Sequence, residues 1–108
     1  MNTIGINLSN KTEIINAIND YSEFSTNQKK IFVVLVNAAV NYICKVTINY
    51  INEETNATRA TISHTLSYLK ENGFVKLEYK GNRFTGCEIV SSKLNDLITH
   101  YEVKRNKK

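Results

Sequence analysis

Two short helical patterns joined by a tight turn occupy the middle of the chain. The first covers Ile48–Glu54, where Ile48 and Ile51 share the inner side and Thr47 precedes them as an N-cap. Residues 55–57 form the turn. This order predicts a pair of helices that pack closely against each other.

The second helix of the pair is predicted over residues 58–72. Thr58 is suited to cap its start, and Gly73 to occupy the left-handed position just beyond its end. At 100° per residue, one narrow apolar stripe faces the core. That stripe consists of Ile62, Leu66 and Leu69. The opposite side carries Ala60, Ser63, His64 and Ser67, with Thr61 and Tyr68 on a flank.

Two strands and a hairpin turn are predicted next. Phe74–Tyr79 alternates as a strand, with Val75, Leu77 and Tyr79 on one face. Gly81–Asn82 is a typical two-residue hairpin turn, and Cys87–Val90 is the returning strand.

Further helices are predicted on both sides of this unit. One runs from a cap at Asn10 to about Glu23, and a second runs from Ser25 or Thr26 to about Ile43. A last helix follows Ser91 or Ser92. Its apolar stripe is Leu94, Leu97, Ile98 and Tyr101.

Shorter extended segments complete the prediction. Alternation of Ile4, Ile6 and Leu8 with polar residues suggests a short strand or arm. Residues 45–47 form a short extended connection. The fold class expected from all these elements is α+β, mostly α, with additional N-terminal and C-terminal helices around the central unit.

Length and composition fit one domain. The chain has 108 residues, of which 42% are hydrophobic, which is enough for a core and too much for a disordered chain. The longest apolar run, residues 31–44, is shorter than the ~20 residues that span a bilayer, so a buried helix is expected there. We expect a single domain over residues 1–103 and a basic, frayed C-terminal tail over residues 104–108.

Helix 58–72 has the side chains of a DNA-reading element. Its exposed residues are mostly small and polar, whereas a helix selected only for stability tends to carry long charged ones. Small side chains let a helix approach base edges, and hydroxyls can donate or accept hydrogen bonds there. Arg59, in the first turn, is long enough to reach a guanine or a phosphate. The helix N-terminus adds positive partial charge beside the phosphates.

The run from Thr58 to Val75 resembles the recognition helix and strand start of winged helix-turn-helix proteins. MarR-type repressors and plasmid or phage replication initiators are the most similar groups. The matching positions are Thr58, Ala60, Thr61, Ile62, Ser63, His64, Leu66, Leu69, Glu71, Gly73, Phe74 and Val75. Many members carry Arg where this chain has His64. The resemblance covers about forty residues and implies a winged helix-turn-helix that binds DNA.

In that fold, the hairpin at residues 80–86 would be a wing on the adjacent minor groove or the phosphate backbone. Lys80 and Arg83 would contact phosphates or the minor groove, and Asn82 the sugar-phosphate. The alternative is an ordinary solvated turn, since turns favour Gly and Asn. The predicted DNA contacts are Thr58, Arg59, Ala60, Thr61, Ser63, His64, Ser67, Lys70, Lys80, Asn82 and Arg83.

The distribution of charge supports a local basic surface. Four cations in the tail account for the whole net charge of +4, because residues 1–103 carry ten basic and ten acidic side chains. Between Arg59 and Arg83 there are five basic residues and two acidic ones. Localised positive charge is what phosphate contacts require.

Nothing in the sequence indicates an enzyme, a cofactor or a metal. Cys44 and Cys87 lack the spacing of metal ligands, so two free, buried thiols are expected, with a disulfide only if the fold joins them. His64 has no nucleophile or orienting carboxylate suitably placed. No phosphate-binding glycine loop is present, and no ligand pocket is evident.

We expect a cytoplasmic protein, because the N-terminal residues lack the basic and apolar regions of a secretory signal. The expected partners are double-stranded DNA and a second copy of the chain. The candidate dimer surfaces are helix 31–43 and the last apolar stripe, although either could instead close the core of one chain. Three functions remain open: a transcriptional regulator, an origin-binding protein of a plasmid or phage, or a protein-interaction module.

Overall fold

The computed structural model describes residues 8–106. These contain five helices and four strands. In chain order the elements are α1 (Leu8–Asp20), α2 (Thr26–Ala38), β1 (Ala39–Val40), β2 (Ile43–Cys44), α3 (Ile48–Thr55), α4 (Arg59–Glu71), β3 (Val75–Lys80), β4 (Arg83–Ile89) and α5 (Ser91–Asn106).

Side-chain caps fix the starts of three helices. Ser25 caps α2 in a full capping box with Gln28, in which each side chain bonds the other residue's backbone N–H. Thr47 accepts from the backbone of Tyr50 at the start of α3, and Thr58 caps α4 in the same way. The sequence predicted the caps of α3 and α4, and these predictions are confirmed.

Helix α2 is shorter than predicted. It ends at Ala38 rather than near Ile43, and the next residues form a tight hairpin between β1 and β2. Asn41 and Tyr42 make its turn with φ of 51° and 72°, the left-handed values of the commonest two-residue hairpins. Periodicity misled here because a continuous apolar run fits a buried helix and a buried strand equally well.

The four strands form one antiparallel sheet in the order β1-β2-β4-β3. Strand β4 begins at Arg83, four residues before the predicted start. It contains a bulge at Thr85, because Glu78 pairs with Gly86 while the next residue pairs with Phe84. The extra residue returns Phe84 to the core face that Cys87 occupies. Without the bulge, strict alternation would turn Phe84 outward.

Gly86 lets two strands approach closely. A Cβ atom at this position would overlap the carbonyl oxygen of Cys44 and lie 3.1 Å from Cα of Lys45. Strand β4 can therefore pair closely with β2 only because residue 86 is a glycine.

The core draws on every helix and on the sheet. Its fully buried side chains include Ile18, Phe32, Leu35, Ile51, Ile62, Leu69, Ile89 and Leu94. The apolar residues of α2 and the buried Leu97 of α5 also belong to this core. Most apolar side chains of the two surfaces considered for dimerisation therefore pack on the core of a single chain, whereas Val40 is 71% exposed and Ile43 36%.

The terminal helices differ from the predicted bounds. α1 begins at Leu8, before the predicted cap Asn10, and ends at Asp20 rather than Glu23. Leu8 is thus helical instead of extended, and the rest of the predicted strand, at Ile4 and Ile6, lies outside the described residues.

Helix α5 extends beyond its predicted limits at both ends. It includes Ser91, and the carbonyl of Val90 accepts from the amide of Leu94. It also continues to Asn106, into the segment that the sequence predicted as a frayed tail. Lys104 lies 3.2 Å from the carboxylate of Asp20, which ties α5 to the end of α1.

Candidate nucleic-acid interface

Side chains in the turn between α3 and α4 fix the angle between these helices. Asn56 ends α3 with a left-handed φ of 61°. The amide of Asn52 donates to the carbonyl of Ala57 at 2.6 Å, and the hydroxyl of Thr55 accepts from the amide of Ala57 at 3.1 Å. Because these bonds bridge the turn, α3 presents α4 in one orientation.

Helix α4 buries the stripe that the sequence predicted. Ile62, Leu66 and Leu69 are buried, and Thr65, which the pattern had not assigned to the core, is buried beside them. On the opposite side, the small and polar residues are exposed. These are Ala60, Ser63, His64 and Ser67. Their predicted exposure is confirmed, and their contact with DNA stays a prediction.

Two of the candidate contact residues also serve the helix itself. The hydroxyl of Thr58 accepts from the amide of Thr61 at 3.1 Å and donates to its hydroxyl at 3.0 Å. Thr61 is half-buried. The Thr58 hydroxyl is thus engaged in capping. Lys70, a further predicted contact, lies near the other end of α4 and is exposed.

Arg59 is held by α3. One of its guanidinium nitrogens, Nη1, donates to Oδ1 of Asn49 at 2.8 Å. Asn49 lies in the first turn of α3, and both side chains are exposed. The sequence did not identify Asn49, because residues ten apart on different helices share no periodic pattern.

The tip of the β3–β4 hairpin is strongly basic. Lys80 and Arg83 lie directly opposite each other, and Gly81 and Asn82 form the turn between them. All four residues are exposed, and Gly81 has a φ of +63°. Of the predicted tip at residues 80–86, only residues 81–82 are turn, and the rest belong to the two strands.

An open cleft of about 940 Å³ separates α4 from this hairpin. Its lining residues are Thr47, Ile48, Asn49, Arg59, Ser63, Leu66, Tyr79, Lys80, Asn82, Arg83 and Phe84. Three of them are cationic and none is acidic, and all lie in the described part of the chain. The cleft therefore suits a polyanion. Five lining residues were predicted as DNA contacts, while the predicted residues Thr58, Ala60, Thr61, His64, Ser67 and Lys70 lie elsewhere on or beside α4.

Tyr79 is the most prominent lining residue that sequence reasoning missed. It shares the core face with Val75, as predicted, but it lies beyond the end of the core and is 56% exposed. Its ring packs edge-to-face on the buried Phe84, with centroids 5.9 Å apart. The sequence signal that could have identified Tyr79 was its position two residues before the turn at Gly81, where β3 extends beyond the core.

Comparison with solved structures identifies the fold. The chain is similar to a transcriptional regulator of the MarR family from Silicibacter pomeroyi, with a TM-score of 0.54 and 12% identity, over 92% of this chain and 68% of that one. It has a winged helix-turn-helix fold. No family model matches the chain. No curated protein matches it either.

The elements can now be named by their place in that fold. α3 and α4 form the helix-turn-helix, α4 is the recognition helix, and the β3–β4 hairpin is the wing. α1 and α5 are the additional helices that the sequence predicted, and the mostly α, α+β class is confirmed.

Other kinds of site were also sought among residues 8–106. They contain no group of three or more His, Cys, Asp or Glu side chains that could hold a metal. None of their helices is both long and apolar enough to cross a bilayer. A smaller cavity of about 190 Å³ lies between Tyr21, α5 and Phe74, where Nζ of Lys93 lies 5.1 Å from the Phe74 ring centroid.

Proposed function

We propose that the protein binds specific sequences of double-stranded DNA and regulates transcription. The recognition helix enters the major groove, and the part of the wing over residues 80–86 contacts the adjacent backbone or minor groove. The observation that carries this proposal is the cleft between them, where Arg59, Lys80 and Arg83 converge without an acidic neighbour among the lining residues.

The opposition of Lys80 and Arg83 supports an anionic partner. Like charges directly across two antiparallel strands repel each other and destabilise the hairpin. In the wing, this repulsion between Lys80 and Arg83 occurs at the exposed tip. A phosphate beside both cations would remove the repulsion and gain charge-assisted hydrogen bonds. The charge distribution is therefore better explained by DNA binding than by stability.

The outward face of the recognition helix supports base reading. Ala60, Ser63 and Ser67 are short and exposed, so the helix axis can approach base edges closely. His64 lies on the same face and can donate or accept a hydrogen bond according to its tautomer. The predicted contacts at Thr58, Thr61 and Lys70 would then reach the phosphates that flank the groove.

The regulatory role rests on the likeness in fold to a transcriptional regulator. A fold alone does not determine function, so the role is proposed together with the site described above. It implies a cytoplasmic protein that needs no cofactor and carries out no enzymatic reaction.

We also propose that the protein binds DNA as a homodimer. One winged module buries a limited area on DNA and discriminates weakly between sequences. A two-fold dimer would read two half-sites about one helical turn apart. Light scattering measures the mass of the protein alone and of its complex with DNA. A mass of one subunit, both alone and after subtraction of the DNA, would contradict dimerisation.

Selection from a random pool of duplexes tests the function. We expect salt-dependent binding to any duplex and enrichment of one near-palindromic motif after several rounds. Mapping that motif to promoters would support a regulator, whereas mapping to an origin would favour a replication role. Absence of salt-dependent binding would contradict the proposal and favour a protein-interaction module.

A further inference from the structure

We propose that Arg59 contacts the DNA backbone rather than a base, and that Asn49 is the residue that positions it for this contact. The inference rests on the proposed function and deepens it. It divides the interface into a phosphate-binding cleft and a base-reading face on α4, which meet at Ser63. It also changes the expectation from sequence, which allowed Arg59 either a guanine or a phosphate.

The first observation is the direction of the Arg59 side chain. The hydrogen bond of 2.8 Å from Nη1 to Asn49 draws the guanidinium toward the first turn of α3. Arg59 and Asn49 both line the cleft. Of the base-reading candidates, Ala60, His64 and Ser67 do not line it, whereas Ser63 lies at its edge with α4. The bond therefore holds the guanidinium toward α3, in the cleft, rather than beside Ala60, His64 and Ser67.

The second observation is that Arg59 shares the cleft with two further cations and with hydroxyl groups. Lys80 and Arg83 of the wing line its other side, and the hydroxyl-bearing Thr47 and Tyr79 lie among the lining residues. Cations on two separate elements that face one cleft match a DNA strand passing between recognition helix and wing. A strand in that position presents phosphates to both sides.

The bond to Asn49 leaves most of the hydrogen-bond donors of Arg59 available for a phosphate. A guanidinium has five N–H donors, and the bond to Asn49 occupies one of them. The others remain for a phosphate, which arginine can bind through two parallel hydrogen bonds. An arginine that is already held also loses less rotamer freedom on binding. Asn49 is thus a positioning residue, and Arg59 makes the contact.

The test compares Arg59→Ala with wild type on the selected duplex and on a scrambled duplex across a salt series. We expect roughly tenfold weaker binding to both, the worth of one charge-assisted phosphate contact. The ratio between the two affinities should stay unchanged. The slope of log affinity against log salt should fall by about 0.9, because one phosphate is no longer neutralised.

A double-mutant cycle tests the role of Asn49. Asn49→Ala should weaken binding to both duplexes roughly threefold, the worth of one exposed hydrogen bond. It should have no further effect when Arg59 is already alanine, because its role depends on Arg59. Asn95→Ala, an exposed asparagine on α5, is the matched control and should bind like wild type. Thermal melting should show all variants folded.

The outcomes separate the two proposals. If Arg59→Ala lowers the preference for the selected duplex while the salt slope stays the same, Arg59 reads a base and the inference is wrong. If the losses from Asn49→Ala and Arg59→Ala add, Asn49 does not act through Arg59, and the positioning role is wrong. If wild type binds no duplex, the proposed function itself fails.

Discussion

Cys44 of β2 lies directly opposite Cys87 of β4, and both thiols are buried and free. The sequence predicted free, buried thiols, but their 43-residue separation hid the fact that the fold pairs them. The Cys87 thiol donates a hydrogen bond to Cys44, which lowers the pKa of Cys44. The pKa of Cys87 is raised well above its ordinary value, chiefly because ionisation would break that bond, and also because of burial.

This pair predicts a loss of stability in alkaline solution. Above the ordinary thiol pKa of 9.0 the unfolded chain loses both thiol protons, whereas the folded chain keeps the proton of Cys87. The folded state then binds more protons, so the free energy of unfolding falls as pH rises past about 9. Below about pH 9 the lowered pKa of Cys44 acts in the opposite direction, so urea unfolding at about pH 9.5 and about pH 10.5 measures this fall. The double variant Cys44→Ala/Cys87→Ala has no thiol to titrate, so, although less stable throughout, it should show a smaller difference, and an equal difference would contradict the assignment.

Gly86 predicts a second, steric sensitivity. Gly86→Ala places a methyl group against the backbone of β2 and should cost ~2–3 kcal/mol of unfolding free energy, as overpacking of a rigid site does. Gly81→Ala is the matched control. Gly81 also has a positive φ, but a Cβ atom added there would meet no heavy atom within 4 Å, so only the backbone cost of ~1 kcal/mol applies. Chemical denaturation of both variants checks the order, and a smaller loss for Gly86→Ala would contradict the packing account.

The cap of the recognition helix makes a third prediction. Thr58→Ala removes the acceptor for the amide of Thr61 and should lower stability by about 1 kcal/mol. Thr58→Ser retains the hydroxyl and should lose much less. Thr99→Ala, an exposed threonine within α5, controls for removal of a surface hydroxyl. Equal midpoints for Thr58→Ala and Thr99→Ala in thermal melting would show that the cap contributes nothing.

Local signals in the sequence were sufficient for the central unit. The caps Thr47 and Thr58, the stripe of Ile62, Leu66 and Leu69, and the turn at Gly81 depend on neighbours within a few residues. Such features follow from helix and turn chemistry alone. These local signals predicted the helices and the hairpin, and the resemblance of residues 58–75 to winged helix-turn-helix proteins implied the fold that joins them.

The features that were missed depend on contacts between distant segments. The bulge at Thr85 and the close approach at Gly86 reflect how β4 meets β2 and β3. The bond between Asn49 and Arg59 joins two helices whose mutual angle the sequence does not state. Eight of the eleven predicted DNA contacts came from the side chains along residues 58–70, while the shape of the cleft required the tertiary structure.

Two lysines on the same strand allow a last and sharper test of the wing. Lys80 lies opposite Arg83, whereas Lys76 lies opposite Glu88. Both lysines are exposed. Lys80→Gln should relieve repulsion and leave stability unchanged or raise it by a few tenths of a kcal/mol, while Lys76→Gln should lower it by a similar amount.

The two substitutions should have the reverse order of effects on DNA binding. Lys80→Gln should weaken binding to all duplexes and reduce the salt slope by about 1, because a phosphate contact is lost. Lys76→Gln removes the same charge outside the cleft and should bind nearly as wild type does. Urea unfolding and a salt series of fluorescence anisotropy measurements give the two readouts. Equal losses of affinity would mean that only net charge matters, and the wing would then have no specific contact at Lys80.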